Sequence, residues 1–246
     1  MLKIENRDGV RTLAFNRPER LNAFNQALWY ATRDALAASA EDQNVSCVVL
    51  TGTGRAFSAG QDLGEMADPS VFEHGEEPGY RALMPVLESF PKPLVAAVNG
   101  VGVGIGFTML LHCDLVLMAE SARLRTPFVS LGVTTEASAS LLLPAVMGWQ
   151  RAAHLLFTEP WLSATDAVAA GIALEVVPDD RLLERAQQLA ATIAAMPLDS
   201  LMTTKRLMLA ARADAVRAAR EREEAEFERL VGQAANQAAL SGFLKR

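Results

Sequence analysis

The 246-residue sequence predicts an α/β body over residues 1–195 and an all-helical tail over residues 196–246. Three observations support this division. Short, continuously apolar runs, typical of strands buried on both faces, occur in the first part of the chain. These runs alternate with helical patterns, which favours right-handed βαβ-type crossovers. No strand pattern follows Asp180, where each segment has helical periodicity.

The elements before residue 61 are a hairpin, a helix and a buried strand. Apolar residues on both sides of a turn at Asp8-Gly9 predict a hairpin over the first fifteen residues. Asn25 is the predicted N-cap of a helix that continues to about Ser39. Val45–Thr51 predicts a buried strand, and residues 52–60 predict a loop.

The middle of the chain continues this alternation. Residues 67–79 combine prolines, glycines and charges, and predict a mobile loop. The next predicted elements are helices at Tyr80–Phe90, around Met109–Cys113, at Gln150–Thr158 and at Ala164–Ala170, the last capped by Ser163 and ended by Gly171, and strands at Leu94–Val98, Leu115–Ala119 and Leu174–Val177. The remaining predicted helices are Arg181–Ala195, Leu198–Ala211, Ala213–Val231 and a short one that includes Phe243. The charged run Arg217–Arg229 predicts a solvated helix face.

Composition excludes several classes of protein. With 29 acidic and 23 basic residues, the net charge of −6 gives no basic surplus for nucleic acid or an anionic membrane. The two cysteines and three histidines are scattered, which predicts neither a metal site nor a disulfide framework. No signal pattern and no apolar run of the ~20 residues that span a bilayer is visible, so we expect a cytoplasmic location. The histidines are expected at surface or packing positions, and the three tryptophans, Trp29, Trp149 and Trp161, are expected in the core.

Two glycine-containing segments each follow a predicted strand. In Gly52–Leu63, small residues let the backbone approach a ligand and Asp62 can cap the next turn, although an ordinary connection has the same composition. Asn99–Phe107 opens a helix and raises the alternative of a dinucleotide site, but Phe107 stands where the third glycine is required. A helix start that offers N–H groups to a developing negative charge is the other interpretation.

A third segment, Arg125–Ser138, contains Glu136 among small and apolar residues. A carboxylate in an apolar pocket has a raised pKa and is a competent general base. A glutamate that only caps the helix starting near Ala137 has the same pattern, and from the residues alone it is the commoner case.

In this order and spacing, the three segments resemble the crotonase superfamily, also called the enoyl-CoA hydratase/isomerase family. The resemblance covers nearly the whole chain and includes Asn16-Arg17-Pro18, Leu21-Asn22-Ala23, the loop Ala56-Phe57-Ser58-Ala59-Gly60-x-Asp62, Asn99-Gly100, Cys113-Asp114-Leu115, Ala164, Ala167, Gly171 and Phe243-Leu244-Lys245-Arg246. It implies a ββα spiral followed by a helical trimerisation region. It also implies an acyl-CoA thioester substrate without a further cofactor, and a homotrimer or a dimer of trimers.

The resemblance also implies roles for single residues. The backbone N–H groups of Gln61 and Ile105 match the family's oxyanion hole. The two glutamates of the hydratases are replaced by Thr108 and Phe128, whereas the run Pro127–Glu136 resembles peroxisomal-type 3-enoyl-CoA to 2-enoyl-CoA isomerases, whose single catalytic glutamate matches Glu136. Substrate contacts are expected from Ser58, Ala59, Asp62, Arg20, Lys245 and Arg246.

The predicted activity is therefore the shift of a 3-enoyl-CoA double bond to the 2-trans position, in fatty-acid oxidation. Hydration, racemisation, decarboxylation and thioester hydrolysis on the same fold remain open, as does a non-catalytic acyl-CoA-binding protein. A dinucleotide-dependent oxidoreductase is a third alternative. The composition of the 67–79 segment gives no preference for acyl-chain length.

Overall fold

In the computed structural model, which describes residues 1–66 and 77–244, strands alternate between two sheets. The larger sheet has the order β1 (Leu2–Arg7), β2 (Val10–Phe15), β3 (Cys47–Gly52), β5 (Leu94–Val98), β7 (Leu115–Ala119) and β10 (Glu175–Val177). The smaller sheet has the order β4 (Ala56–Ser58), β6 (Val101–Val103), β8 (Arg123–Arg125) and β9 (Leu162–Ser163). Neighbouring strands are parallel except in the β1–β2 and β8–β9 pairs.

Three times in succession, a strand of the larger sheet is followed by a strand of the smaller sheet and then by helix. The pairs β3–β4, β5–β6 and β7–β8 are the three turns, so the predicted ββα spiral is confirmed. The helices are α1 (Gln26–Glu41), α2 (Leu63–Met66), α3 (Gly79–Glu88), α4 (Ile105–Thr108, continued by a 3₁₀ turn at Met109–His112), α5 (Ala139–Met147), α6 (Trp149–Thr158), α7 (Ala164–Ala169), α8 (Leu182–Ala194), α9 (Leu198–Ala210), α10 (Ala213–Leu230) and α11 (Ala234–Leu244).

The core lies between the larger sheet and the helices, and an aromatic cluster occupies one end of it. Each residue of β5 is buried, which explains why its apolar run was readable in the sequence. Phe15 packs edge-on against Phe24 and Phe57, with ring centroids 5.0 and 5.3 Å apart. Trp29 packs on Phe24 at 4.5 Å. This cluster packs against the segment from β4 to α2.

Most of the longer predicted elements are confirmed, with two helix caps in the expected places. The Asn25 side chain accepts the Leu28 N–H at 3.0 Å, and Ser163 accepts the Asp166 N–H at 3.1 Å. The loop predicted for residues 52–60 was wrong in its centre, where three residues form β4. The mobile loop predicted for residues 67–79 falls mainly on 67–76, which lie outside the described residues.

Two of the three tryptophans predicted as core anchors are not in the core. Trp149 is 75% exposed and Trp161 is 41% exposed, whereas Trp29 is 1% exposed. Trp161 instead stacks against the guanidinium of Arg123, 4.3 Å from its ring centroid. An aromatic ring next to a cation gains stabilisation without burial, which is why the residue type alone misled the prediction.

Lys205 of α9 attaches the helical tail to the body. Its ammonium group donates to the Lys92 carbonyl oxygen and to Asp114 Oδ2, both at 2.7 Å. The same Asp114 oxygen accepts the Leu94 N–H at the start of β5. The boundary between residues 195 and 196 falls in the connection between α8 and α9, and the division into two domains stays a prediction. No helix in the described ranges is both long and apolar enough to cross a membrane.

Lys205→Met is expected to lower the free energy of unfolding by about 1–3 kcal/mol, because the partly buried Asp114 carboxylate loses its cation and the Lys92 carbonyl loses a donor. Urea denaturation measures the change. Arg206→Met, on the exposed side of the same helix, is the matched control and should stay within about 0.5 kcal/mol of the parent. Equal stabilities for the two variants would show that this contact contributes nothing.

Candidate functional site

Two glycines bring two backbone turns into contact. Gly60, after β4, has a φ of +90°, and Gly104, before α4, has a φ of +54°, a region of backbone conformation that favours glycine. A Cβ atom on Gly60 would lie 2.7 Å from the Val103 carbonyl oxygen. One on Gly104 would lie 3.9 Å from Gly60 Cα. The residues that follow these glycines, Gln61 and Ile105, therefore lie together in one wall of a cavity.

The N–H groups of Gln61 and Ile105 are available to a ligand. Ile105 is the first residue of α4, so its N–H has no acceptor inside the helix. The N–H groups on either side of Gln61 are bonded to the Ser58 hydroxyl and to the Phe24 carbonyl oxygen, while that of Gln61 has no acceptor among residues 1–66 and 77–244. Two N–H groups in a cavity wall, neither with an acceptor among residues 1–66 and 77–244, can hold a developing oxyanion.

The loop that carries Gln61 is held by buried polar contacts. The Asn22 side chain, fully buried, donates to the Thr53 and Ala56 carbonyl oxygens at 2.9 and 2.8 Å. The Arg17 guanidinium contacts Asp62 at 3.1 Å. The other carboxylate oxygen of Asp62 accepts the N–H of Gly64 in α2, as expected for a cap. These contacts hold the backbone of the loop, because they tie it to side chains from other parts of the chain.

The residues predicted to bind the substrate separate into three groups. Ala59 lines the cavity. The Ser58 side chain is fully buried and donates to the Asn22 carbonyl oxygen at 2.9 Å, so it and Asp62 hold the loop rather than line the cavity. Arg20 is exposed in the 3₁₀ turn Pro18–Arg20, away from the cavity wall, and residues 245 and 246, which hold the predicted Lys245 and Arg246 contacts, lie outside the described residues.

Glu136 faces the two glycine turns from the opposite segment of the chain. Its Oε1 lies 3.9 Å from the position that a Cβ on Gly104 would take. Burial, and to a smaller extent the nearby charge of Glu223, raises the pKa of Glu136 to about 8. No donor among the described residues bonds to the carboxylate. A carboxyl group in such surroundings binds a proton tightly and is suited to general-base chemistry.

The turn after Glu136 is unusual, because Ala137 and Ser138 both have positive φ values, of 58° and 59°. Residues other than glycine adopt this region at a cost, so neighbouring contacts must hold it. The Tyr80 hydroxyl accepts the Ala137 N–H at 2.8 Å, and His112 Nε2 donates to the Ala137 carbonyl oxygen at 2.9 Å. Burial lowers the pKa of His112 to about 4, so this histidine is neutral and serves packing, as predicted.

The prediction of a solvated face for Arg217–Arg229 was wrong at Glu223, which is 5% exposed. Its carboxylate accepts the N–H groups of Ser138 and Ser140, at 2.6 and 2.7 Å. The sequence held a signal for this position. Glu223 continues the buried stripe of Val216 and Ala219 at spacings of three and four residues, which is the inner face of α10.

The cavity next to Glu136 has a volume of about 320 Å³. Its wall is mainly apolar and aromatic, with contributions from Trp29, Leu63, Met66, Tyr80, Leu131, Val133, Phe227 and Val231. Phe128, one of the two residues that stand in place of the hydratase glutamates, also lines the cavity. Its ring lies 4.0 Å from the position that a Cβ on Gly104 would take. The other such residue, Thr108, is fully buried, and its hydroxyl donates to the Gly104 carbonyl oxygen at 3.3 Å.

Sequence reasoning missed three contributors to this site, namely Trp29, Tyr80 and Glu223. Trp29 Nε1 donates to Gln61 Oε1 at 2.9 Å and so holds Gln61 in the cavity wall. Its ring and that of Tyr80 meet edge-on, with centroids 5.7 Å apart. The sequence carried no local signal for the roles of the two aromatic residues, because their partners are distant in the chain.

The glycine-rich segment after β5 serves the fold. A Cβ on Gly102 would lie 2.7 Å from Leu124 Cδ2, and one on Gly106 would lie 2.4 Å from the Ser58 carbonyl oxygen. Close contact between chain segments therefore accounts for Gly102 and Gly106 without a bound ligand. Within the described ranges no group of three or more histidine, cysteine or acidic residues has the geometry of a metal site.

Comparisons with known proteins show the family and the fold of the chain. A profile of the enoyl-CoA hydratase/isomerase family matches residues 5–246. The 1,2-epoxyphenylacetyl-CoA isomerase of Escherichia coli K12 is 36% identical, over 97% of this chain and 93% of that protein. Human enoyl-CoA delta isomerase 2 is 32% identical, over 84% of this chain and 54% of that protein. The crystal structure of an enoyl-CoA hydratase/isomerase from Pseudoalteromonas atlantica T6c superposes with a TM-score of 0.96, at 34% identity, covering 99% of this chain and 96% of that one.

Proposed function

The chain belongs to the enoyl-CoA hydratase/isomerase family and is an acyl-CoA enzyme of the crotonase type, and we propose that it converts 3-enoyl-CoA to 2-trans-enoyl-CoA. The observation that carries this proposal is the carboxyl group of Glu136, whose Oε1 lies next to Gly104 at the two glycine turns, in a cavity with a mainly apolar wall. A hydratase of this family needs two glutamates to handle water, and Phe128 and Thr108 occupy those positions. A double-bond shift needs only one base, because no water is added.

In the proposed reaction, Glu136 removes a proton from C2 of the acyl chain. The electron pair of that C–H bond forms a dienolate, and its negative charge develops on the thioester oxygen. The N–H groups of Gln61 and Ile105 donate to that oxygen. The protonated Glu136 then returns the proton to C4, the C3–C4 double bond moves to C2–C3, and the thioester carbonyl re-forms. Protons and electrons balance, and the reaction draws on no cofactor beyond the CoA thioester itself.

The cavity wall supports the same reaction. Apolar side chains from α3, α10 and the segment after β8 surround the space between Glu136 and the glycine turns. Apolar surroundings lower the local dielectric constant, which strengthens hydrogen bonds to a developing oxyanion. Arg81 is the basic residue of this wall, and it pairs with Glu224 and Glu228. The neutral hydrocarbon chain of an enoyl group therefore suits the cavity.

The test of this proposal is product analysis after incubation with 3-cis- and 3-trans-enoyl-CoA of several chain lengths. We expect 2-trans-enoyl-CoA as the product, and we expect 2-enoyl-CoA to remain unhydrated on the same time scale. Rapid conversion of 2-enoyl-CoA to 3-hydroxyacyl-CoA would show that the enzyme is a hydratase. Binding of the CoA esters without turnover would show a non-catalytic protein.

The pH dependence should follow Glu136. The base acts in its ionised form and its pKa in the free enzyme is about 8, so kcat/KM should rise with pH up to about 8 and then level off. Two units below that pKa, only about 1% of the carboxyl is ionised, and kcat/KM should be about 10²-fold below the plateau. Initial rates at constant ionic strength measure the profile. A flat profile between pH 6 and 9 would remove Glu136 as the titrating base.

We also propose that the helical tail makes the contacts of a homotrimer or a dimer of trimers. The observation in support is that α9 exposes large apolar side chains, with Leu207 66% and Met208 65% exposed. The chain mass is 26.5 kDa, so light scattering should give three or six times that value. A monomer in solution would contradict the proposal.

A further inference from the structure

We propose that Glu223, on the C-terminal helix α10, is a positioning residue that holds the turn after Glu136 and thereby aims Glu136 at the two glycine turns. This role rests on the proposed function only in naming Glu136 as the base. Glu223 itself need not touch the reacting atoms. The proposal makes the tail of the chain part of the catalytic apparatus, since α10 begins 77 residues after Glu136 in the sequence.

The first support is the geometry of the contact. One carboxylate takes both the Ser138 and the Ser140 N–H groups, through its two oxygens, at 2.6 and 2.7 Å. Both N–H groups belong to the start of α5, where they have no acceptor inside the helix and where the helix dipole favours an anion. Hydrogen bonds from N–H groups to a charged carboxylate are about twice as strong as neutral ones. The Ser138 hydroxyl makes a second contact with α10, donating to the Val216 carbonyl oxygen at 2.8 Å.

The second support is the backbone that these contacts hold. Ala137 and Ser138 both stand in the left-handed region, which costs a non-glycine residue about 1 kcal/mol or more. Such a turn persists only where its surroundings determine it. Without Glu223, the two residues can relax toward ordinary helical or extended angles, and either change rotates the Glu136 side chain away from Gly104.

Three structural elements contribute the charged and titratable groups around Glu136. Tyr80 lies on α3, His112 lies in the 3₁₀ turn after α4, and Glu223 lies on α10, while Arg81, Glu224 and Glu228 complete the charged part of the cavity wall. Glu223 is the charged group that raises the pKa of Glu136, in addition to burial. Burial also raises the pKa of Glu223, against the effect of its N–H donors. Glu223 therefore has two effects on Glu136, one on its orientation and one on its proton affinity.

Two variants separate these effects. Glu223→Gln keeps the length of the side chain and removes the charge, so it should lower kcat by about 10²-fold through misplacement of the base. It should also move the titration of Glu136 to lower pH. Glu223→Asp keeps the charge but is one methylene too short to reach both N–H groups, so kcat should fall while the titration midpoint stays high. Glu221→Gln, exposed on the same helix, is the control for loss of one acidic group and should change neither quantity.

The measurement is infrared difference spectroscopy between each protein and its Glu136→Gln counterpart, which isolates the carboxyl band of Glu136 over a pH series, combined with kcat. The spectroscopic midpoint needs no turnover, so it reports on Glu223 even if the proposed reaction is wrong. A midpoint or a kcat of Glu223→Gln equal to that of the Glu221→Gln control overturns the proposal. If Glu223→Gln does not fold, Glu223→Asp alone decides: a reduced kcat with an unmoved midpoint supports the proposal, and a kcat equal to that of the Glu221→Gln control overturns it.

Discussion

Glu136→Gln is expected to lower kcat for isomerisation by about 10²–10⁴-fold, the usual contribution of a general base, while the protein stays folded. The amide has the size of the carboxyl group and still fits the wall of the cavity. It cannot accept the C2 proton, whereas the proposed contacts of the Gln61 and Ile105 N–H groups with the thioester are unchanged. We therefore expect KM to change far less than kcat.

Raising the pH should destabilise the parent protein relative to Glu136→Gln. The pKa of Glu136 is about 8 in the folded protein against 4.5 for an ordinary glutamate, so the folded state loses stability as the pH rises from 4.5 through 8. The glutamine variant lacks this loss, which amounts to a few kcal/mol at most. Thermal unfolding at pH 4.5 and pH 9 measures it. Turnover at the parental rate, or a stability difference between the two proteins that is independent of pH, would contradict the assignment.

Gly60→Ala is expected to lower kcat by about 10²–10³-fold, as the loss of one oxyanion donor does. A Cβ at this position would lie 2.7 Å from the Val103 carbonyl oxygen, so the two glycine turns must separate and the N–H of Gln61 must move away from that of Ile105. The alanine must also adopt a φ of +90°, and the free energy of unfolding should fall by about 1–3 kcal/mol.

Gly148→Ala is the matched control for this substitution. Gly148 has a φ of +81°, similar to that of Gly60, but a Cβ there would have no atom within 4 Å. The control therefore reproduces the backbone strain without the collision, and it should lose some stability with an unchanged kcat. If Gly60→Ala keeps its kcat within about twofold of the control, the contact of the two turns has no part in catalysis.

Long, strongly patterned elements of this fold were readable from the sequence. The five residues of β5 are all apolar and all buried, and Asn25 stands at the start of α1 with the expected side-chain bond. The strands β4, β6 and β8 have three residues each, which is too few to establish a period. β6 also contains Gly102, which is needed because other chain segments lie close to it, and a glycine weakens the pattern of a strand.

The residues of the candidate site also divide into those that lie in a local sequence motif and those that do not. Gln61, Ile105 and Glu136 lie in short motifs, and it was the resemblance of these motifs to the crotonase superfamily that identified the three residues as candidates. Tyr80 and Glu223 reach the turn after Glu136 across 57 and 85 positions of sequence, through the winding of the spiral and the return of α10. Contacts of that range leave no local pattern. Only the helical spacing of Glu223 from Val216 and Ala219 indicated that it is buried. The charged residues next to Glu223 in the sequence made that pattern hard to recognise.

The most direct test of a single carboxylate that removes and returns the same proton is isotope tracing through one turnover. A 3-enoyl-CoA carrying deuterium on C2 is converted in ordinary water under single-turnover conditions, and the product is analysed by mass spectrometry and proton NMR. We predict 2-trans-enoyl-CoA with part of the deuterium transferred to C4, because Glu136 takes up the isotope in a cavity with a mainly apolar wall. A 3-hydroxyacyl-CoA product, or 2-enoyl-CoA with only protium added at C4, would contradict it.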